Sequence, residues 1–283
     1  MLHFLQTLDR RWIFLLMALA VLIPLLVEVR FPEIPTAIVR DAFDEIEKLP
    51  RGSTVLMAFD FDPGSEGELQ PMANALTRHV AEKELVAIYL TTWETGLRSP
   101  QKAVELLRQE YPHLQYGKDY VNLGFRAGRD TLIKLMKENL RQAYDKDVNG
   151  TPLDDMPATR PVKSAKNVDL IVCIGAGTPG AKEWVQYVAT PLNKPLVVGT
   201  TGVQTPMFYP YVPRPMRGML GAIKGASEYE ELLNTAYPKV AERPSAHDGR
   251  KRMAPQMFAH LLMVLLIVLG NVITWISRKA PAA

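Results

Sequence analysis

Two aspartates, Asp60 and Asp62, stand where an apolar stretch of the chain ends in a turn. Gly64 and Ser65 complete that turn. Carboxylates at the end of such a stretch can take part in catalysis when they face a ligand. Aspartates before a helix also form turns and caps. The sequence therefore offers Asp60 and Asp62 as catalytic residues or as turn formers, and Gly64 and Ser65 as ligand contacts.

A glycine-rich loop after a later apolar stretch is the second candidate site. Its candidate ligand contacts are Gly175, Gly177, Thr178 and Gly180. Backbone N–H groups in such a loop, with the positive end of a helix dipole, can approach an anion closely. The spacing is neither G-x-G-x-x-G nor a P-loop, which needs Gly-Lys-Ser/Thr. The loop predicts either an anion, sugar or phosphate contact or a tight strand-to-helix turn.

Two pairs of neighbouring threonines follow other apolar stretches: Thr91 and Thr92, and Thr200 and Thr201. A hydroxyl group both donates and accepts hydrogen bonds. In an open parallel sheet, ligands bind beyond the carboxyl ends of the strands. These four threonines are therefore further candidate ligand contacts.

The stretch Val55-Leu-Met-Ala-Phe-Asp60-Phe-Asp62 resembles the opening motif of the haloacid dehalogenase-like phosphatases. The resemblance implies that Asp60 is a nucleophile and Asp62 a general acid, with Thr91 or Thr92 as the family's hydroxyl residue. It covers about eight residues and ends directly after them. In that family acidic residues after the fourth strand hold magnesium, and here the glycine-rich loop takes their place.

The other chemistry-bearing residues form no recognisable set. The five histidines have no metal-ligand spacing, and the one cysteine, Cys173, lies inside an apolar run. A single cysteine excludes an intrachain disulfide, and its apolar neighbours predict that it is buried. A net charge of +3, from 33 basic and 30 acidic residues, gives no strong field for nucleic acid. No metal site and no nucleic-acid partner is predicted, and no cofactor is indicated.

Five short apolar stretches, each followed by a turn and a helical pattern, must position these residues. The predicted strands cover residues 53–59, 85–90, 120–125, 169–174 and 195–199. Alternating strands and helices predict a parallel sheet, and continuously apolar strands predict helices on both faces. The fold class is therefore α/β, a Rossmann-like sheet. With the strand order 3-2-1-4-5, the aspartate loop and the glycine-rich loop meet at one rim.

Capping signals predict where three of the helices begin. Ser65 and Glu68 have the spacing of a capping box, and Ser99 and Thr178 each precede a proline. A single helix is predicted over residues 129–144, and His79 is predicted to face solvent. Segment 146–168 is expected to cover a sheet edge or an opening. Segment 204–217 is a proline-stiffened loop, a lid, a partner contact or a patch on a membrane.

An apolar helix is predicted at each end of the chain, at residues 12–29 and 257–277. Crossing the hydrocarbon core takes roughly 20 mostly apolar residues. The prediction is a two-pass cell-membrane protein. Its remaining parts are an N-terminal tail (1–11), a linker with a short helix (30–50), the α/β domain (51–238), a second linker (239–256) and a C-terminal tail (278–283). Basic tails favour an extracytoplasmic domain, although the basic run at 250–252 opposes this.

His260 and Asn271 lie eleven residues apart in the second apolar helix, and so on one face of it. Polar groups inside a membrane usually face a protein partner or a cavity. Besides the lipid bilayer, the predicted partner is a second copy of the chain or another membrane protein. The alternative is that His260 lies in the headgroup layer.

Three functions fit these features. The first is a membrane-anchored Rossmann-like module that binds a small ligand or a protein, within a larger membrane assembly. The second is a hydrolase or transferase that uses Asp60, Asp62 and the glycine-rich loop. The third is a structural membrane scaffold. The sequence favours the first, because no complete catalytic set is recognisable in it.

Overall fold

The computed structural model of the chain describes residues 9–28 and 31–279. It divides into two compact units. One unit is Glu33–Gly249, and the other joins the chain ends, Met1–Pro32 and Arg250–Ala283. The first, here named the α/β unit, contains every candidate site residue.

Six parallel strands form one sheet in the α/β unit. They are β1 (Thr54–Asp60), β2 (Val86–Thr91), β3 (Tyr120–Phe125), β4 (Leu170–Gly175), β5 (Leu196–Thr200) and β6 (Met216–Gly221). Their spatial order is β3-β2-β1-β4-β5-β6. The predicted α/β class with a parallel sheet is confirmed, and each of the five predicted strands lies within one residue of its observed bounds.

The helices connect these strands and form both chain ends. They are α1 (Arg10–Leu26), α2 (Ala37–Glu47), α3 (Glu66–Glu82), α4 (Arg98–Glu110), α5 (Arg129–Glu138), α6 (Leu140–Ala143), α7 (Ala181–Trp184), α8 (Thr190–Leu192), α9 (Thr205–Phe208), α10 (Ala222–Ala236), α11 (Pro238–Ala241) and α12 (Asp248–Lys279). The helix predicted over 129–144 is interrupted at Asn139, between α5 and α6.

Both faces of the central strand β1 are buried along its whole length. Successive side chains of a strand point to opposite faces. Leu56 and Ala58 pack on one face with Met136 and Trp184, in the main hydrophobic cluster. The alternate residues between them are equally buried. Helices therefore cover both sides of the sheet, as the continuously apolar strands predicted.

Strand β6 and helix α10 were not predicted from the sequence. The strand reads Met-Arg-Gly-Met-Leu-Gly, and two glycines in six residues weaken a strand signal. Gly218 has a packing role, because a Cβ there would clash with the backbone of Ala42. Helix α2 thus packs directly on β6. The segment predicted as a linker with a short helix is therefore part of the α/β unit.

The predicted capping residues do not form the predicted caps. Ser65 stands at the N-cap position of α3, but its side chain makes no capping hydrogen bond. Glu68 accepts a hydrogen bond from the Gly202 N–H at 2.9 Å, so a contact distant in sequence replaces the capping box. Helix α4 begins before Ser99, at Arg98. Gly180, not Thr178, is the N-cap residue of α7. Its N–H donates a hydrogen bond to Glu183 at 2.8 Å.

The prediction that His79 faces solvent is wrong, because α10 packs against α3 and covers this side chain. His79 is 0% exposed, and its ring nitrogens lie 2.6 Å from the Tyr229 hydroxyl and 3.0 Å from Glu47. The adjacent Arg78 is 1% exposed and donates to both carboxylate oxygens of Glu110, at 2.8 and 2.7 Å. These five residues are here named the base cluster.

Segment 146–168 covers the outer edge of β3. The Val148 N–H donates to the Asn122 carbonyl at 3.1 Å, and the Ala158 N–H donates to the Gly117 carbonyl at the same distance. Leu153, within this segment, is buried. The prediction that 146–168 covers a sheet edge therefore agrees with the structure.

Both ends of the α/β unit are hydrogen-bonded to the same helix, α10. Thr36, just after the entry, donates from its N–H (3.0 Å) and its hydroxyl (2.6 Å) to Glu228 of α10. The N–H of Gly249, the last residue of the unit, donates to Glu230 of α10 at 2.8 Å. Both glutamates are buried, so entry and exit are tied to neighbouring positions of one helix.

One helix is long and apolar enough to cross a membrane, judged by length and composition over the described residues: Asp248–Arg278 of α12. No part of its apolar window is buried. It begins well before residue 257, so much of the predicted linker at 239–256 is helical. Helix α1, with 17 residues and Pro24 inside it, is at the lower limit for a span.

Candidate functional site

Asp60 ends β1 and is completely buried. Its Oδ1 accepts hydrogen bonds from the N–H and the hydroxyl of Thr92, at 2.7 and 2.8 Å. Its Oδ2 accepts from Nε1 of Trp184 at 3.2 Å. The carboxylate thus joins the end of β1 to the loop after β2 and to α7. A nucleophile must reach its substrate, and Asp60 is enclosed on every side.

Burial raises the pKa of the Asp60 carboxyl to about 6, although the hydrogen bonds from Thr92 oppose this shift. The buried carboxylate of Glu183 also raises the pKa. Removal from water disfavours the charged form of an acid. The same enclosure buries Cys173, as predicted, with its Sγ 4.0 Å from Asp60.

Asp62 forms a turn at the surface. Its Oδ1 accepts a hydrogen bond from the Ser65 N–H at 3.0 Å. Gly64 lies directly against the same carboxylate, and a Cβ at Gly64 would be 3.5 Å from Oδ1. This is the turn-forming alternative that the sequence offered, and it places Gly64 and Ser65 in the turn.

The glycine-rich loop lies beside Asp60, as the strand order predicted. Gly175 pairs with Asp60 across β1 and β4. Gly177 packs against the indole ring of Trp93, where a Cβ would be 2.8 Å from a ring carbon. Trp93 donates from Nε1 to the Pro179 carbonyl at 2.6 Å. The glycines therefore make close packing possible, and Gly175 and Gly180 are buried.

The Thr91 hydroxyl holds the backbone of Trp93 in place through two hydrogen bonds. Its hydroxyl accepts from the Trp93 N–H at 3.1 Å and donates to the Trp93 carbonyl at 3.2 Å. A buried threonine thus sets the position of an aromatic side chain and does not itself face an opening.

An open cavity of about 410 Å³ lies at the carboxyl ends of β2, β3 and β4. We name it the rim cavity. Three loops line it, with Thr92, Trp93, Glu94 and Thr95 after β2, Phe125, Ala127, Gly128 and Arg129 after β3, and Thr178 and Pro179 after β4. Of the predicted site residues, only Thr92 and Thr178 line it, and Gly177 supports its wall through Trp93.

Two side chains of opposite charge face the rim cavity. Arg129 is exposed and donates from Nη2 to the Thr178 carbonyl at 3.1 Å. Glu94 is exposed on the opposing loop. Within residues 9–28 and 31–279, neither side chain forms an ion pair, although ion pairs elsewhere in the α/β unit are numerous. Among the described residues, the cavity therefore presents one cation and one anion that form no ion pair. The hydrogen bond from Lys134 lowers the pKa of the Asp130 carboxyl, and the charge of the adjacent Arg129 helps to lower it.

The threonine pair after β5 lies elsewhere on the rim. The Thr201 carbonyl accepts from the Thr205 hydroxyl at 2.9 Å, and the Thr200 hydroxyl is buried near Gln204. Neither threonine lines the rim cavity. The structure thus separates the predicted contacts into those at the cavity, those sealed around Asp60, and this pair.

Sequence reasoning missed Trp93, Glu94, Phe125 and Arg129. Phe125 ends β3 and the other three follow the ends of β2 and β3, so the strand ends were the available signal. The switch-point rule directed attention to β1 and β4, whose loops prove to be packed.

In the part of the chain that the structure describes, no group of three or more His, Cys, Asp or Glu side chains is placed to hold a metal ion. No protein-family model matches the chain, and no curated protein matches it in sequence. The chemistry of the rim cavity must therefore be argued from its own geometry.

Proposed function

We propose that the α/β unit is a membrane-tethered binding module, and that its rim cavity takes a small molecule with an anionic group. The observation that carries the proposal is Arg129, a guanidinium that faces a cavity of about 410 Å³ and forms no ion pair among the described residues. Arginine offers five N–H donors in a planar fork that suits carboxylate and phosphate oxygens.

The position and local geometry of the cavity support this function. It lies beyond the carboxyl ends of parallel strands, where α/β sheets bind their ligands. Its volume falls within the usual range of small-molecule sites, about 300–1,000 Å³. Arg129 has a φ of 49° and Gly128 a φ of 146°. Strained backbone of this kind is concentrated at ligand sites, where it fixes a side chain in place.

The alternative function, a haloacid dehalogenase-like phosphatase, has less support. Its nucleophile would be Asp60, whose two oxygens are occupied by Thr92 and Trp184. Its general acid would be Asp62, which is bonded to Ser65. Magnesium-dependent hydrolysis of phosphate esters that disappears in Asp60→Asn would favour the phosphatase over the binding module.

A ligand screen on the full-length chain tests the proposal. The purified protein, in a non-ionic maltoside detergent, is screened by thermal shift against small carboxylates, phosphates and zwitterions. We expect a subset to raise the melting temperature, and Arg129→Ala to weaken the binding of each at least tenfold in calorimetry. Lys134→Ala is the matched control, because Lys134 lies on the same helix outside the cavity. If no compound binds, or if Arg129→Ala binds normally, the proposal fails.

We further propose that α1 and α12 both cross the membrane and that the α/β unit is extracytoplasmic. The apolar side chains of α1 are exposed, including Phe14 and Leu26, which suits a lipid environment. A second copy of the chain or another membrane protein would then meet these helices.

Cysteine labelling on intact cells tests the orientation. The native Cys173 is 0% exposed, whereas Val203 is 89% exposed. We expect Val203→Cys to react with a membrane-impermeant thiol reagent and the wild-type protein not to react. Labelling of Val203→Cys only after the membrane is opened would place the unit in the cytoplasm.

A further inference from the structure

We infer that the ligand of the rim cavity is a zwitterion, a small molecule with an anionic group at one end and a substituted ammonium at the other. The inference rests on the proposed binding function and goes further by naming the ligand class. It depends on the juxtaposition of Arg129, Glu94 and the aromatic side chains of Trp93 and Phe125 in one cavity.

The two charges of the cavity are opposite, and they do not neutralise each other. Glu94 lies in the loop after β2 and Arg129 at the start of α5, after β3. They line the same cavity and form no ion pair with one another. A plain anion attracted to Arg129 would also meet the negative field of Glu94. A molecule carrying both charges satisfies both side chains, and this complementarity gives specificity.

The anionic end of such a ligand would lie at Arg129. One N–H of its guanidinium is held by the Thr178 carbonyl, which orients the group and leaves further donors for a carboxylate or phosphate. The exposed hydroxyl of Thr178 stands next to it as a second donor.

The cationic end would lie at Glu94 and the aromatic rings. A substituted ammonium is attracted both by a carboxylate and by the face of an aromatic ring, best by tryptophan. Trp93 is suited to this because its ring cannot move freely. Its Nε1 donates a hydrogen bond to the Pro179 carbonyl, and its backbone N–H donates one to the Thr91 hydroxyl. Its ring packs on Gly177.

Phosphocholine carries both of these groups, and two sources could supply it: a free molecule or the headgroup of a lipid. Calorimetry on the full-length chain in maltoside detergent compares phosphocholine with inorganic phosphate and with choline. We expect phosphocholine to bind at least tenfold more tightly than either. Glu94→Gln should remove this preference without weakening phosphate binding, while the control Glu105→Gln, an exposed acid outside the cavity, should keep it.

The outcomes separate the inference from the function on which it rests. If phosphate binds as tightly as phosphocholine, or if Glu94→Gln leaves the preference intact, the zwitterion inference is overturned and the anion-binding module stands. If none of the three probes binds, the zwitterion inference fails, and the anion-binding module fails with it when the carboxylates of the screen do not bind either. Nanodiscs of phosphatidylcholine and of phosphatidylglycerol then identify the source. A lipid headgroup ligand predicts that only the former block free phosphocholine, and equal binding in both indicates a free ligand.

Discussion

The base cluster and the rim cavity both concentrate polar side chains in the α/β unit, but they are built in opposite ways. In the base cluster Arg78 donates twice to Glu110, and both ring nitrogens of His79 have partners. In the rim cavity Glu94 and Arg129 form no ion pair within the described residues. Buried polar groups are costly without partners, whereas exposed ones remain hydrated. The base cluster therefore stabilises the fold through paired groups, whereas the proposed binding function rests on charges of the rim cavity that form no ion pair.

The largest expected effect is the loss of the buried cation in Arg78→Met. This change removes the two hydrogen bonds of a buried arginine to Glu110, which keeps Arg243 at 2.7 Å as a remaining partner. Breaking a buried pair costs about 3–5 kcal/mol, and the expected loss lies at the lower end of that range because Glu110 stays paired. Urea unfolding of the full-length chain in detergent, followed by circular dichroism, measures the loss in free energy of unfolding.

The control for this change is Arg126→Met, which breaks an exposed ion pair with Asp145 and should cost less than about 1 kcal/mol. The double variant Arg78→Met/Glu110→Leu should recover part of the loss, because neither charge of the pair remains and Arg243 keeps Glu82 at 3.4 Å. Equal losses in Arg78→Met and Arg126→Met would contradict the structural role of the base cluster.

The next effect is a pH-dependent one at Asp60. Its pKa is raised from 3.8 to about 6 by burial. Well below pH 3.8 the carboxyl is protonated in the folded and the unfolded chain. Above pH 6 the folded chain must hold the charge in a buried site, which costs it about 3 kcal/mol of stability. Relative to the wild type, Asp60→Asn should therefore gain stability as the pH rises from 4 to 7. A difference that is constant with pH would contradict this.

His79→Gln should show the opposite trend. Burial lowers the pKa of the His79 imidazole below its ordinary value of 6.5. As the pH falls from 7.5 to 5.5, the unfolded chain takes up a proton that folded His79 resists, so the wild type loses stability. The variant has no such group and should lose less over the same range in the same unfolding measurement. Parallel curves for wild type and variant would mean that His79 is not enclosed.

A smaller effect is expected at the wall of the rim cavity. In Gly177→Ala the new methyl group would stand 2.8 Å from a ring carbon of Trp93 and would displace the indole. Overpacking of this kind costs roughly 1 kcal/mol. Thermal unfolding should change little, while the tryptophan fluorescence and the ligand affinity of the rim cavity should both change. An unaltered affinity would show that the position of Trp93 is irrelevant to binding.

The smallest effect on stability is expected for Arg129→Ala, although its effect on binding is the largest. The side chain is exposed and makes one hydrogen bond, to Thr178, so the free energy of unfolding should change by less than about 1 kcal/mol. A large loss of stability would place Arg129 with the base cluster as a structural residue.

The sheet could be predicted because β1, β2, β4 and β5 are continuous apolar runs. Such runs are expected of parallel strands that are buried on both faces. Strand β6 could not, since Gly218 is needed for close packing on α2 and weakens the local strand signal. His79 was misplaced for a related reason. Its burial depends on α10, which follows β6 and was not predicted either.

The candidate site was predicted only in part, because sequence motifs show residue types but not enclosure. Asp60 and the glycine-rich loop do lie at one rim, yet their polar groups are used up by neighbours such as Thr92 and Trp184. The charges at the cavity, Glu94 in the loop after β2 and Arg129 at the start of α5, belong to no motif. Their significance comes from facing the same cavity, and only the three-dimensional arrangement reveals that.

The paired attachments of Thr36 and Gly249 to α10 have a mechanical consequence. Any tension that arrives through the chain from either direction acts first on hydrogen bonds to Glu228 and Glu230. Both glutamates belong to α10, and no residue of α10 lines the rim cavity. If both chain ends cross a bilayer as proposed, its movements load this helix before they load the loops that line the cavity.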